Sequence, residues 1–302
     1  MSLVAGLDIG GTKMAVALAD RSGTVLDHAT RPTPAMEGPD AILTTATDLV
    51  RTVGGTEVVA AVGVGAAGVI DRRRGVVVSA TQALPGWAGT DLRGELSRRL
   101  GLPVAVDNDV HAHALGEQWR GAAAGYADVL LIAVGTGIGA STVLGGHVRH
   151  GAHGVAGHAG HVPVAAAAGV ACACGGQGHV EAVASGPALL ARFRSRSETD
   201  AAHLAEVARL AAAGEPVAAA VLAFGGTAAG HAIGGLMNVI DPEIVVIGGG
   251  VPNCGEPWWQ PLRAAIATEV LPALRDVPVV PAALGADAAL LGAARLAFTL
   301  LP

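Results

Sequence analysis

The chain has 302 residues, a formal net charge of −6 and only 3% aromatic residues. With no long basic stripe and few rings to stack on bases, this composition argues against a nucleic-acid-binding protein. It lacks a run of about 18 purely apolar residues, and its N-terminus has none of the features of a signal peptide, so we expect neither a membrane span nor secretion. Three cysteines, an odd number, are typical of a reducing compartment, and we expect a cytoplasmic protein.

The N-terminal part of the chain alternates apolar runs with glycine turns. LVAGLDIG predicts a buried strand that ends in a glycine turn, and MAVALAD and TVLDHAT predict a hairpin around RSG. Apolar residues at helical spacing predict a helix over 40–53 with Asp40 as its N-cap, and a strand is predicted at 58–65. LRGELSRRLG predicts a helix that Gly101 ends, and PVAVDND predicts a strand that carries acidic residues at its carboxyl end.

The same order of signals then starts again. DVLLIAVGTGIG predicts a strand that enters a glycine turn, and STVLGGHVRH predicts a hairpin. Residues 217–240 are helical in pattern, EIVVIGGG is an apolar strand followed by three glycines, and ADAALLGAARLAFTLL closes the chain as an amphipathic helix. Strands that alternate with helices predict an α/β protein with largely parallel sheets, in two halves that pack face to face across a cleft.

Three glycine turns follow predicted strands, at 8–13, 135–139 and 248–250. Glycine lets the backbone approach an anion closely, and successive amide protons in such turns form concave anion sites. Neither the P-loop pattern nor the dinucleotide-binding pattern matches these turns. Each turn alone is more often plain turn geometry, but three at strand ends, with an aspartate in the first, together predict phosphate binding.

These motifs, in this order, resemble the ROK family of bacterial sugar kinases. LDIGGTK before a hairpin, DND at a strand end, GTGIG, GHAGHV, CACGGQGHVE and IGGG run from about residue 3 to the final helix. The resemblance implies the duplicated α/β fold of actin-like ATPases, which is ribonuclease H-like, with two domains flanking a cleft. It implies an N-terminal phosphate-loop domain of residues 1–108 plus 288–302, and a larger domain, 109–287, with a zinc loop and the adenosine site.

The resemblance also implies the residues that contact each substrate, with ATP and Mg²⁺ as cofactors. Those on the nucleotide side would be Asp8, Gly10, Gly11, Thr12, Lys13, Thr136, Gly137, Gly248, Gly249 and Gly250. Those on the sugar side would be Gly68, Asn108, Asp109, His158, His161 and Glu181.

Asp109 would be the catalytic base. Phosphoryl transfer needs alignment, charge neutralisation and a group that takes the proton of the attacking hydroxyl, and a carboxylate at the carboxyl end of a strand can take it. Asp107 and Asp109 alternate along the predicted strand, so only one of them would face the cleft. We expect Asp109, because Asn108-Asp109 matches the family pair. The alternative is that both acids cap a helix that begins near His111.

The segment around the cysteines predicts a structural zinc site. Cys172, Cys174 and His179 lie in one short glycine-rich loop, and His161 would be the fourth ligand that a closed zinc site needs. The family usually has a third cysteine where this chain has His179, and we interpret the histidine as an exchanged ligand. The alternative is a metal-free loop with incidental cysteines.

His158 departs from the family, which usually has a glutamate there that accepts hydrogen bonds from sugar hydroxyls. A neutral imidazole offers one donor and one acceptor, which suits the carbonyl of an N-acyl group. The hypothesis is therefore an ATP-dependent kinase that transfers the γ-phosphoryl group to the 6-hydroxyl of a hexose or N-acylhexosamine, with N-acetylmannosamine favoured over glucose. The alternative substrate is glucose, as for a glucokinase.

A second class of function is a non-catalytic, sugar-sensing regulator or scaffold. ROK repressors carry a helix-turn-helix segment ahead of the kinase-like part, and here the phosphate turn begins at Asp8, so we expect none. The expected partners are therefore a sugar and ATP, without nucleic acid or membrane. By analogy with the family, we expect a homodimer or homotetramer.

Overall fold

The protein divides into two compact units in a computed structural model that describes residues 2–54, 58–81 and 83–302. The first unit comprises Met1–Gly125, Val148–Ala156 and Ala283–Pro302. The second unit comprises Tyr126–His147 and Gly157–Ala282.

A five-stranded sheet forms the centre of the first unit, in the order β3-β2-β1-β4-β7. Its strands are β1 (Leu3–Ile9), β2 (Lys13–Ala19), β3 (Val25–Pro32), β4 (Val59–Ala66) and β7 (Val104–Asn108). β1 is antiparallel to β2 and parallel to β4, which is parallel to β7. The strands β5 (Val69–Asp71) and β6 (Val76–Ser79) form a separate antiparallel pair. The first hairpin and the buried strands are confirmed, because apolar side chains run along both faces of the central strands.

The second unit repeats this topology in the order β10-β9-β8-β11-β12. Its strands are β8 (Val129–Val134), β9 (Ile138–Leu144), β10 (His147–Val148), β11 (Ile244–Gly248) and β12 (Val279–Pro281). β8 is antiparallel to β9 and parallel to β11, as β1 is to β2 and β4. The duplicated α/β fold predicted from the sequence is confirmed.

Helices cover the sheets of both units. In the first unit they are α1 (Pro39–Thr52), α2 (Leu92–Leu100), α3 (Asp109–Arg120) and α9 (Asp287–Phe298). In the second they are α4 (Glu181–Ala184), α5 (Gly186–Arg194), α6 (Leu204–Ala212), α7 (Pro216–Ile240) and α8 (Glu256–Glu269).

Among the described residues, one helix, α7, has the length and apolar composition to cross a membrane. In this structure 61% of its most apolar window is buried. Gly226 and Gly230 lie against the backbone of α8, where an added Cβ would overlap the carbonyl oxygens of Trp258 and Leu262. This close packing makes α7 a core helix of the second unit, and Trp258 is fully buried beside it, so it packs rather than covering a ligand.

Two local predictions are wrong. Asp40 is not the N-cap of α1, because Pro39 takes the first helical position and Gly38 precedes it; proline suits that position since its missing N–H needs no partner there. Asp109 does not continue β7, which ends at Asn108, so Asp107 and Asp109 do not alternate along one strand.

The boundaries between the two units differ from those expected from the sequence, which were 108/109 and 287/288. The helix α3 belongs to the first unit because it packs against α9 at two glycines. An added Cβ at Gly116 would overlap the carbonyl oxygen of Ala288, and one at Gly292 would overlap that of Ala112. The backbones of α3 and α9 therefore touch directly, which fixes the position of the helix that starts at Asp109.

We predict that Gly292→Ala destabilises the protein by about 3 kcal/mol, because the methyl group would force two helix backbones apart. Gly235→Ala is the matched control, since Gly235 lies in α7 with open space around its Cα. It should stabilise by about 0.5–1 kcal/mol through helix propensity. Urea unfolding followed by circular dichroism measures both, and equal effects of the two substitutions would contradict the close packing.

Candidate functional site

The first glycine turn, residues 10–12, joins β1 to β2, and Asp8 is the penultimate residue of β1. The amide of Gly10 donates to the carbonyl of Lys13 at 3.1 Å, which closes the turn. Thr33, at the end of the neighbouring strand, donates its hydroxyl to the carbonyl of Gly10 at 2.7 Å and its amide to the carbonyl of Thr12. Sequence reasoning missed Thr33, which only the pairing of β2 with β3 brings to the turn.

The junction of β7 and α3 carries the predicted sugar-side residues of the first unit. The side chain of Asn108 caps α3 by accepting from the amides of Val110 at 2.9 Å and His111 at 3.3 Å. Its amide nitrogen donates to the carbonyl of Gly68 at 3.0 Å. Asp109 is the first residue of the helix, and its carboxylate accepts from the amide of Val110 at 2.9 Å. The asparagine, and not the two acids, is therefore the cap.

Gly68 has a conformation that only glycine adopts without strain. Its φ is +111°, and an added Cβ would lie 2.5 Å from the carbonyl oxygen of Ser79. Since the carbonyl of Gly68 orients the Asn108 side chain, this turn between β4 and β5 determines where the amide of Asn108 points.

Asp8, Lys13 and Asp109 influence one another electrostatically within the first unit. The pKa of Asp8 is raised from 3.8 to about 7, chiefly by burial and in addition by the charge of Asp109, while Lys13 lowers it. The structure thus brings the predicted nucleotide-side carboxylate close to the predicted base. Two carboxylates so arranged attract a cation, because a positive ion offsets the repulsion between their negative charges.

The second glycine turn, between β8 and β9, is held by Glu181. The amide of Gly135 donates to the carbonyl of Gly137 at 2.8 Å, and the Glu181 carboxylate accepts from the amide of Ile138 at 2.8 Å. An added Cβ at Gly137 would lie 2.7 Å from the same carboxylate. Glu181 therefore supports the turn that carries Thr136 and Gly137, a contact that the sequence did not predict.

The third glycine turn follows β11. Gly249 has a φ of +91°, and an added Cβ would overlap the carbonyl oxygen of Val134 at the end of the neighbouring strand β8. Gly248 is the last residue of β11, and Gly250 precedes a short 3₁₀ helix. The second and third turns thus lie at the carboxyl ends of adjacent parallel strands, where α/β sheets commonly bind ligands.

The four predicted zinc ligands come together in the second unit. Nitrogen and sulfur atoms of His161, Cys172, Cys174 and His179 all lie within 4.8 Å of one another. The Cys174 sulfur is 3.2 Å from Nδ1 of His179, and the Cys172 sulfur is 3.9 Å from Nδ1 of His161. A Cys₂His₂ set at these distances fits a tetrahedral zinc ion after small adjustments of the side chains.

His158 lies directly before the 3₁₀ helix Ala159–His161. Its ring is stacked on that of His161, with centroids 6.1 Å apart and an interplanar angle of 22°. The backbone of His158 accepts from the amide of His161 at 3.1 Å. The residue that departs from the family pattern is therefore coupled through its ring and its backbone to a predicted zinc ligand.

Comparison with known proteins identifies relatives over nearly the whole chain. The ROK family matches residues 4–299. A glucokinase of Thermotoga maritima is 33% identical over 96% of this chain and 96% of its own length. An N-acetyl-D-glucosamine kinase of Citrobacter koseri is 32% identical over 82% of this chain and 84% of its own length. The crystal structure of a ROK family glucokinase from Streptomyces griseus, in complex with glucose and AMPPNP, superposes with a TM-score of 0.85 at 33% identity; the match covers 99% of this chain and 100% of that one.

The raised pKa of Asp8 predicts a pH dependence of stability. Between about pH 4 and pH 7 the folded protein binds more protons at Asp8 than the unfolded chain, so stability falls as the pH rises through this range. Asp109→Asn removes one cause of the raised pKa and should make this fall shallower. Urea unfolding at pH 5, 6, 7 and 8 tests this, with Asp27→Asn on the exposed face of β3 as the control. Identical slopes for Asp109→Asn and wild type would contradict the coupling.

Proposed function

The chain belongs to the ROK family and is a carbohydrate kinase, and on this premise we propose that it transfers the γ-phosphoryl group of ATP to the 6-hydroxyl of a hexose or N-acylhexosamine. The observation that carries this proposal is the coupling of Asp8 with Asp109. It brings a carboxylate on the phosphate turn together with one on the first residue of a helix. A kinase needs both: one that organises the phosphates and one that takes a proton.

Asp109 would act as the general base. In phosphoryl transfer the protein mainly aligns the reactants and neutralises charge, while a carboxylate takes the proton of the attacking hydroxyl. Asp109 is the first residue of α3, so the start of this helix sets its position. The cap formed by Asn108 and the contact of Asn108 with Gly68 restrict the backbone on which Asp109 is carried.

Asp8 would hold Mg²⁺. The partly buried Asp8 carboxylate has a pKa raised to about 7, and a divalent ion compensates for the cost of its ionisation. When bound, Mg²⁺ neutralises the charge of the transferred phosphoryl group. Lys13 adds a second positive charge beside the same turn. The carboxylate and the cation thus suit a metal-phosphate ligand better than a neutral one.

Backbone amides of the glycine turns would bind the nucleotide. In the first unit the donors would be the amides of Gly11 and Thr12, on a turn that the Gly10 amide closes internally, and in the second unit those of Thr136 and Gly137. Gly248, Gly249 and Gly250 would border the adenosine. The support for this assignment is the position of the second and third turns at the carboxyl ends of the adjacent parallel strands β8 and β11, with glycine required at Gly137 and Gly249 for steric reasons.

We propose a structural zinc ion on His161, Cys172, Cys174 and His179. A closed four-ligand set holds its loop rigid and leaves no open position for chemistry. His161 is itself one of the four ligands, and the loop that contains the other three leads directly into the helix that starts at Glu181. Zinc would therefore fix the positions of two residues that the family places on the sugar side.

For the substrate we propose an N-acylhexosamine, with N-acetylmannosamine before glucose. His158 supports this choice, because an imidazole can donate to an acyl carbonyl whereas a carboxylate cannot. Relatives of comparable identity are named for glucose and for N-acetyl-D-glucosamine, so both sugar classes occur among them. We also propose a cytoplasmic location, since an odd number of cysteines is typical of a reducing compartment.

We predict that Asp109→Asn lowers kcat by about 10²–10⁴-fold, the usual contribution of a general base, while sugar binding measured by calorimetry changes little. A coupled assay with ATP and a panel of glucose, N-acetylmannosamine and N-acetylglucosamine measures turnover. Asp48→Asn on the exposed face of α1 is the control and should match wild type. Full activity of Asp109→Asn would remove this residue from its role, and no turnover on any sugar of the panel would contradict the proposed function.

We predict that His158→Glu shifts the preference towards glucose. Loss of the hydrogen bond to an acyl carbonyl should lower the ratio of kcat/KM for N-acetylmannosamine to that for glucose by about tenfold. His147→Glu introduces the same charge at another exposed histidine and should leave the ratio unchanged. An unchanged ratio in His158→Glu would contradict the assignment of His158 to substrate selection.

A further inference from the structure

A second group of metal-ligating side chains lies in the first unit, apart from the cysteine loop. Asp107, His111 and His150 each offer one ligand atom, and these atoms all lie within 4.8 Å of one another. Nε2 of His150 is 2.8 Å from Oδ2 of Asp107, and the rings of His111 and His150 meet edge to face with centroids 4.9 Å apart. We infer that these three side chains form a binding site for a divalent transition metal.

Secondary structure holds two of the three ligands in place. Asp107 precedes the last residue of β7, and its Oδ1 accepts from the amide of Asn108 at 2.8 Å, which directs Oδ2 towards His150. His111 lies in the first turn of α3, and its amide donates to the Asn108 cap. The same cap that carries Asp109 therefore also fixes the spacing of Asp107 and His111.

The third ligand comes from a distant part of the chain. His150 lies in Val148–Ala156, which belongs to the first unit although the residues on both sides of it belong to the second. Within this segment the amide of Ala156 donates to the carbonyl of His150, and Gly154 lies against the carbonyl of Ile70. A metal ion would join this segment to the start of α3 by two coordinate bonds.

The donor set determines the class of metal. One carboxylate and two imidazoles suit Zn²⁺, Co²⁺, Ni²⁺ or Fe²⁺, whereas Mg²⁺ and Ca²⁺ prefer oxygen ligands. Ligand atoms around a tetrahedral zinc ion with bonds of about 2.0–2.1 Å are about 3.3 Å apart. The Asp107–His150 distance of 2.8 Å lies below this value and the 4.8 Å bound lies above it, so small side-chain rotations suffice. Three protein ligands leave a position for water.

Burial and charge favour a cation at this position. Asp107 is 1% exposed and His111 3% exposed, and a buried carboxylate needs a compensating charge. Arg72 lies beside Asp107, with its Nε 3.5 Å from Oδ2. The Arg72 side chain is half-exposed and can move into solvent, so it competes with a metal ion without blocking it.

Cobalt binding to the metal-free full-length protein tests the inference. Co²⁺ on thiolates shows an intense sulfur-to-metal charge-transfer band, and Co²⁺ on nitrogen and oxygen ligands does not. After chelator treatment and dialysis against a slight excess of Co²⁺ with excess Mg²⁺ present, which fills the proposed Mg²⁺ site at Asp8, we expect two Co²⁺ ions per chain by native mass spectrometry and an absorption band of the intensity of one thiolate-bound Co²⁺. An excess of Mg²⁺ should displace neither ion. A single bound ion that shows the band would overturn the inference.

Variants assign each ion. His150→Gln should bind one Co²⁺ and keep the charge-transfer band, whereas His153→Gln, an exposed position in the same segment, should bind two. The double variant Cys172→Ser with Cys174→Ser should bind one ion without the band. Two ions in His150→Gln would overturn the inference. A wild-type chain with one ion, no band, and loss of that ion in His150→Gln would instead contradict the zinc loop and support this site.

Arg72→Gln provides a second test on an exposed side chain whose loss should not unfold the protein. Removal of the competing guanidinium should strengthen Co²⁺ binding at this site several-fold, because like charges repel at this short range. The affinity is measured by titration in the double cysteine variant, so that only this site is observed. Weaker binding in Arg72→Gln would contradict the assignment of Oδ2 of Asp107 as a ligand.

Discussion

The hydrogen bonds of one side chain, Asn108, hold the functional part of the first unit together. Its oxygen accepts from two amides at the start of α3, and its nitrogen donates to the carbonyl of Gly68. An unsatisfied helix N-terminus would cost about 0.5–2 kcal/mol and would let the first turn fray. Because Asp109 and His111 both lie in that turn, the cap determines the position of the proposed base and of one proposed metal ligand.

Direct backbone contact supports this junction from the opposite side. Gly116 and Gly292 allow α3 and α9 to touch, and α9 also packs on β1, the strand that carries Asp8. Asp8 and Asp109 are thus positioned by elements that share one core. The raised pKa of Asp8 is the electrostatic consequence, since two carboxylates and a low-polarity environment oppose ionisation until a cation is present.

The two units build their glycine turns in the same way. In each, a strand ends in a glycine turn and an antiparallel strand follows, and the side chain that supports the turn comes from elsewhere in the unit: Thr33 in the first, Glu181 in the second. The turns consist of small residues because larger ones would not fit. The side chains that hold the turns in place, Thr33 and Glu181, therefore come from outside the turn motifs. The turn residues are adjacent in sequence, while the residues that support them depend on the fold around them.

Local pattern alone was sufficient for most elements and for the zinc-ligand group. Apolar periodicity predicted the buried strands, the long helix α7 and the final helix. Residues on a buried face are apolar, so they recur in the sequence at the spacing of that face. His161, Cys172, Cys174 and His179 lie close in sequence, so the loop that joins them needs few other contacts. Local pattern failed at Asp40 and at Asp109, where proline and asparagine determine the helix start more strongly than an acid does.

Only the tertiary structure decided which distant side chains meet. His150 is 43 residues from Asp107, and nothing in the residues near either one indicates their 2.8 Å contact. The coupling of Asp8 with Asp109 and the support of Gly137 by Glu181 likewise depend on how strands and helices pack. Periodicity records whether a side chain is buried, but the identity of its neighbours follows from the order of strands in a sheet and from helix crossings. Sequence by itself therefore determined many of the elements, the glycine turns and the short-range group of proposed zinc ligands, and the packing of those elements determined the charges around the proposed base.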